Sequence, residues 1–228
     1  MEIRPVAYIR TEFPEKFGIP RQSGLVSGLR GQIVFQPSYR NPDALRGLEN
    51  FSHIWLVWEF NANRGGNGQW QPTVRPPRLG GNTHIGVFAT RSPFRPNPLG
   101  LSCVQIESID LDTPEGPVIN VMGADLMDGT PVYDIKPYLK YSDSHPDSVC
   151  GYVDGLKDER LEVIIPPHLS ASIPDATRLA ALEEVLSLDP RPSYHSDPDR
   201  VYGLSFAGYN IKFTVKDNAL TVNDISCL

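Results

Sequence analysis

The most chemically suggestive stretch of this 228-residue chain is 86–101, GVFATRSPFRPNPLGL. Three prolines and two glycines in sixteen residues set the backbone on a stiff, non-repetitive path. Arg91, Ser92, Arg95 and Asn97 hang from it. A guanidinium on a stiff loop grips a carboxylate or phosphate through two parallel hydrogen bonds. A tight strand connection with solvated arginines is the plainer alternative, but two arginines and an asparagine on one loop favour a binding site. A second constellation is DLMDGTPVYDIKPY, residues 125–138. Asp128–Gly129 signals a turn, and Asp134, Lys136 and Tyr138 alternate so as to share a face of an extended segment. On spacing alone, a hairpin with outward polar residues accounts for it. A third, PRQSG at 20–24, puts an arginine and an amide on an early loop and means little by itself.

Charge adds to the first reading. The chain carries −6, yet between Glu59 and Glu107 there is no acidic residue and there are five arginines, 64, 75, 78, 91 and 95. That window is +5 and the remainder −11. A positive site on an acidic body still focuses an anionic ligand, because the local field outweighs the total. Within the window, residues 65–81 form a long Pro- and Gly-rich excursion bearing Trp70, Arg75 and Arg78, and loops of that length usually have a function.

Other chemistries find no support. There is no phosphate-loop, dinucleotide, zincin or nucleophile-elbow motif. The five histidines lack paired ligand spacing and the three cysteines, Cys103, Cys150 and Cys227, form no C-x-x-C, so no metal is expected. No apolar run approaches the ~18 residues of a membrane span, and the first ten residues lack a signal-peptide core. An odd number of widely spaced cysteines points to the reduced cytoplasm.

The elements that must position these residues are mostly strands. The 22 prolines, about twice the average usage of ~5%, argue against a helical bundle. Short runs rich in Val, Ile, Leu and aromatics at 5–10, 31–35, 53–60, 83–89, 102–110 and 118–122 alternate with turn residues and predict a closed or nearly closed β-barrel. A short helix is expected at 41–48, capped by Asn41 with Pro42 at its first position. After Tyr141 a polar linker leads to a strand at 161–165, a helix over 174–188, strands at 201–206 and 209–215, and an edge at 221–222. The expected organisation is mainly β: a barrel-like domain over 1–150, then a smaller α+β domain over 151–228. Residues 151–200 hold ten acidic and five basic residues, an unlikely platform for RNA.

PRQSG, RGLENFSHIWLVWEF, WQPTVRPPRLGGN, GVFATRSPFRPNPLGL and DLMDGTPVYDIKPYL stand in the order and spacing of the TsaA/TrmO family, and DPRPSY and YGLSFAGYNIKFTV resemble the tail domain of its bacterial members. The resemblance covers essentially the whole chain. It implies a homodimeric, β-barrel tRNA methyltransferase that uses S-adenosylmethionine to methylate N6 of threonylcarbamoyladenosine beside the anticodon of threonine tRNA. It also implies a cofactor pocket built from Arg21, Gln22, Asn61, Ala62, Arg91, Leu101, Asp128, Gly129, Thr130 and Pro131. Asn61-Ala62 stands where other members carry His-Gln, which favours a backbone contact there.

These residue types suit the task. Arg91 or Arg21 matches the cofactor's carboxylate, Leu101 offers adenine an apolar wall, and Asp128 is a candidate carboxylate for the sulfonium. N6 is a ureido nitrogen, nucleophilic only once its proton is removed or held. Asp134, or Tyr133 with Lys136 beside it, is the expected base. Arg95, with Asn97 near it, is expected to clamp the threonyl carboxylate, and Trp70, Arg75 and Arg78 to hold the anticodon loop. A methyltransferase acting on another acceptor, and a non-catalytic RNA-binding module, are the alternatives.

Overall fold

A computed structural model describes residues 2–63, 70–156, 159–192 and 197–228. Arg64, the start of the 65–81 excursion and Tyr194 of DPRPSY therefore lie outside the described residues.

Six antiparallel strands close into a barrel in the order β1-β2-β7-β6-β3-β8. They are β1 (Ala7–Thr11), β2 (Arg30–Phe35), β3 (His53–Glu59), β6 (Leu99–Asp110), β7 (Val118–Met122) and β8 (Thr130–Pro137). Alternate residues point inward: Ala7 and Ile9, Ile54 and Leu56, Ile119 and Val121 are all fully buried. Closure leaves no exposed sheet edge to protect. β4 (Thr73–Val74) and β5 (Ile85–Gly86) form a separate two-stranded ribbon.

A second sheet, order β10-β11-β12-β9, is built from β9 (Glu162–Ile164), β10 (Tyr202–Phe206), β11 (Tyr209–Lys216) and β12 (Ala219–Cys227). Short helices α1 (Lys140–Asp143) and α2 (Pro167–Ser170) precede α3 (Ala176–Ser187). The Asp175 carboxylate caps α3, accepting from the N–H groups of Thr177 and Arg178. The buried face of α3, Ala181, Leu182, Val185 and Leu186, packs on this sheet.

Several elements differ from the sequence expectation. The run at 83–89 is strand for two residues only and then turns into a 3-10 segment at Val87–Ala89. The helix expected at 41–48 is a single 3-10 turn, Pro42–Leu45, although Asn41 does cap it by accepting from Asp43 N–H. The edge at 221–222 is the nine-residue β12, an interior strand between β11 and β9. Phe13, Val26 and Leu29, from the connection between β1 and β2, pack in the core of the second sheet. There Ala207 N–H donates to Glu12 C=O at 2.8 Å. Gly18, with φ +86°, lies so close that a Cβ would come within 2.3 Å of Leu204 Cδ1.

Candidate active site

β3 runs antiparallel to both β6 and β8, so the end of β3 meets the beginnings of β6 and β8 at one mouth of the barrel. A cavity of about 410 Å³ opens there, within the range of small-ligand sites. Trp58 and Phe60 from β3 and its exit, and Leu99 to Leu101 from β6, form its apolar wall. Thr130 contributes from β8. The loop before β2 adds Arg21 and Gln22. Asn61 and Ala62 follow Phe60, and Arg91 and Arg95 come from the proline-stiffened loop.

That loop is held by its own side chains. Thr90 Oγ1 donates to Val87 C=O at 2.9 Å, and Ser92 Oγ accepts from Phe94 N–H at 3.3 Å. Arg95 Nη1 donates to the carbonyls of Thr90 (2.8 Å) and Ser92 (3.2 Å), and its guanidinium lies 6.0 Å from the centre of the exposed Phe88 ring. Arg91 donates to the side-chain oxygen of Gln22, joining the stiff loop to the PRQSG loop. The two segments are 69 residues apart in sequence. Burial, and then the neighbouring charge of Arg78, lower the pKa of the Arg21 guanidinium, while Asp189 from the C-terminal unit acts in the opposite sense.

Asp125 is the single acid among the described residues lining the cavity, against Lys16, Arg21, Arg91 and Arg95. Burial pushes its carboxyl above the usual aspartate range, while hydrogen bonds from Ser102 and from backbone, and the charge of Arg91, pull the other way. Ser102 Oγ lies 2.6 Å from Asp125 Oδ1 and accepts from the Trp58 indole at 2.9 Å. Sequence reasoning passed over Asp125 for Asp128, which announces the turn. The signal in the sequence is a carboxylate between two apolar residues, Ala124 and Leu126, which the structure buries.

The expected cofactor residues divide. Arg21, Gln22, Asn61, Ala62, Arg91, Leu101 and Thr130 line the cavity; Asp128, Gly129 and Pro131 do not. The Asp128 carboxylate instead accepts from Thr11 N–H at 3.0 Å, Gly129 N–H donates to Ile9 C=O, and Pro131 pairs with Tyr8 on the neighbouring strand β1. Their backbone shapes the turn that leads Thr130 in. Of the substrate residues, Arg95 lines the cavity and Asn97 does not; Asn97 C=O accepts from Leu99 N–H at the start of β6. Trp70 stacks on Phe88 with ring centres 6.3 Å apart, and Arg75 Nε donates to His84 at 3.0 Å. Arg78 sits in the 3-10 turn Pro77–Leu79.

The base candidates are not at the cavity wall. Lys136 Nζ pairs with Asp134 at 2.8 Å, not with Tyr133. Asp134 lines a different cavity, of about 590 Å³, beside Tyr39 and Leu45. Tyr133 falls at a register shift where Val57 faces Asp134 and Trp58 faces Val132. Such a bulge re-aims a side chain, and the Tyr133 hydroxyl donates to the buried carboxylate of Glu59. No metal-binding cluster of His, Cys, Asp and Glu occurs among the described residues, and none of the described helices is long and apolar enough to cross a membrane.

Two family models match the chain: the tRNA-methyltransferase O N-terminal domain over residues 8–144 and the TrmO C-terminal domain over 158–227. This chain belongs to the TrmO family. Among its relatives is the tRNA (adenine(37)-N6)-methyltransferase of Escherichia coli, 37% identical over 230 residues, with 97% of this chain and 96% of that protein aligned. A Pseudomonas aeruginosa relative whose name places it with the S-adenosylmethionine-dependent methyltransferases is 38% identical, covering 89% of this chain and 87% of its own. A crystal structure of TrmO from Pseudomonas aeruginosa superposes with TM-score 0.79 at 31% identity, over 100% of this chain and 97% of that one. The chain is a TrmO-type methyltransferase with a closed barrel, and its cofactor is S-adenosylmethionine.

The residues present fit that cofactor. Arg91 and Arg21 suit its carboxylate, the wall of Trp58, Leu99 and Leu101 suits adenine, and Asp125 is the one acid among the described lining residues available to a cation.

Proposed function

We propose that this TrmO member methylates N6 of threonylcarbamoyladenosine beside the anticodon of threonine tRNA, as a cytoplasmic homodimer. The reading rests chiefly on one observation: a cavity whose described lining residues include four cations and a single acid, in a chain whose relatives carry the name tRNA (adenine(37)-N6)-methyltransferase. One bound cofactor carboxylate leaves cationic capacity over. The threonyl carboxylate of the acceptor is a fitting second anion.

Bound S-adenosylmethionine supplies an electrophilic methyl group. The protein's own task is to align the acceptor nitrogen with it, the largest entropic part of such a reaction, and to take up the N6 proton. Arg91 and Arg21, with Gln22, hold the cofactor, while backbone at Asn61, Ala62 and 128–131 shapes the pocket. Arg95 clamps the threonyl carboxylate and Asn97 keeps the loop end in register. A missing carboxylate would leave that guanidinium without its partner and so reject unmodified adenosine. Asp134, paired with Lys136, lines the other cavity, so of the expected bases Tyr133, hydrogen-bonded to Glu59 at the cavity end of β3, is the one kept as a candidate. Trp70, stacked on the exposed Phe88, together with Arg75 and Arg78, offers stacking faces and phosphate contacts to a looped single strand. On this reading residues 1–150 carry cofactor and chemistry, and 151–228 border the entrance near Asp189.

Methylation with labelled S-adenosylmethionine tests it, comparing threonine tRNA with and without the threonylcarbamoyl group. Transfer to the modified tRNA alone is expected. Equal transfer to both removes the carboxylate requirement, and transfer to neither sends the search to another acceptor.

A further inference from the structure

Asp125 is held in a way that the shape of the pocket alone does not require. An indole N–H only donates, so Ser102 Oγ must accept from Trp58 and spend its single proton on Asp125. The chain Trp58, Ser102, Asp125 therefore has one direction, at 2.9 and 2.6 Å, and it presents Asp125 as an acceptor. Ser102 is 1% and Trp58 8% exposed, so the arrangement is built into the wall and not borrowed from solvent. Gly100, opposite Trp58 in the β3–β6 register, leaves the space in which the indole lies; a Cβ there would stand 2.3 Å from the ring.

Facing this carboxylate is a cavity whose other charged side chains, among the described residues, are all cations. Arg91 is near enough for its charge to act on Asp125. Opposite charges lining one cavity match a ligand that carries both charges on one carbon. The amino-acid head of the cofactor does so: its ammonium and carboxylate share the α-carbon, and its sulfonium lies three bonds further along.

We infer that Asp125, oriented by Ser102, is the counter-charge to Arg91, and that the two recognise the zwitterionic head of S-adenosylmethionine, carboxylate to Arg91 and ammonium to Asp125. The inference rests on the cofactor assignment above. It makes Ser102 a positioning residue that acts only through Asp125.

Calorimetric binding to the full chain tests it with three probes: S-adenosylmethionine, S-adenosylhomocysteine, and 5′-methylthioadenosine, which lacks the head and is read by competition when weak. Asp125→Asn is expected to weaken the first two alike, at least tenfold, and to leave the third within twofold, which also reports an intact fold. Ser102→Ala should give the same pattern with a smaller loss. A loss confined to S-adenosylmethionine would place Asp125 against the sulfonium and overturn the inference. So would equal loss of all three probes, or no loss. If the unaltered protein binds none of the three, it is the cofactor assignment that fails.

Discussion

At the scale of single residues, Asp125 and Arg95 each carry a consequence beyond binding. Burial is the largest influence on Asp125 and raises its pKa in the folded protein, so the unfolded chain releases this proton at lower pH than the folded one. Folding stability then falls as pH rises through that interval, starting near the ordinary aspartate value of about 4. Asp125→Asn removes the penalty. Without cofactor, the variant should melt with the parent at pH 3.5 to 4, by about the same ordinary value, and above it at pH 7, as read by differential scanning calorimetry. A parent that melts higher at both pH values contradicts the burial argument. Arg95 is both a candidate clamp and the pin of the loop that carries Arg91. The sequence alone suggests that Arg95→Ala spares cofactor binding. The two carbonyl bonds instead predict a loss of turnover together with a several-fold loss of cofactor affinity, with Arg95→Lys restoring affinity better than turnover. Titration calorimetry beside an initial-rate assay separates the two effects.

At the scale of elements, the pairing of the end of β3 with the start of β6, Trp58 opposite Gly100, aligns the cavity. Gly100→Ala would drive a methyl group into the Trp58 ring, displacing an indole that also packs edge-on to Phe60 at 4.3 Å. Overpacking of this kind costs about 1–3 kcal/mol. Because Trp58 orients Ser102, the same change should weaken cofactor binding. Urea unfolding and calorimetry on one preparation check both; a stability loss with unchanged affinity would disconnect the Trp58–Gly100 pairing from the site. The bulge at Tyr133 is the other element-scale device, since it turns a residue from a regular strand toward Glu59.

At the scale of the whole molecule, the two cores are joined by the connection between β1 and β2. Phe13 is 1% exposed and packs with its ring tilted against Phe206, centres 5.3 Å apart, so a residue near the start of the chain completes a core built mostly from its end. Phe13→Ala should cost about 3–5 kcal/mol. In hydrogen exchange the lost protection should concentrate in β10 to β12 and spare the barrel. Loss spread evenly over both units would instead show a single cooperative core. The same connection carries Arg21 and Gln22 to the cavity, so the second core anchors both ends of a loop that serves the first.

The sequence by itself determined the class of the fold, because alternation of apolar residues between turn signals is a local property. β1, β2, β3, β7, β10 and β11 are legible in that way, as are α3 with its buried stripe and the Asn41 cap. It also made the arginine-bearing loop stand out, since proline density and a run without acids can be counted. Only the tertiary structure decided which side chains meet. Arg91 reaches Gln22 across 69 residues, and Asp125, 23 residues from Ser102, enters the cavity while Asp128 turns to cap Thr11. The β8 bulge turns Tyr133 to Glu59 while Lys136 pairs with Asp134, and β12 is interior because β9 pairs with it in parallel. Each of these outcomes depends on strand register and chain closure, which are set by packing between segments far apart in sequence and leave no mark on any one of them.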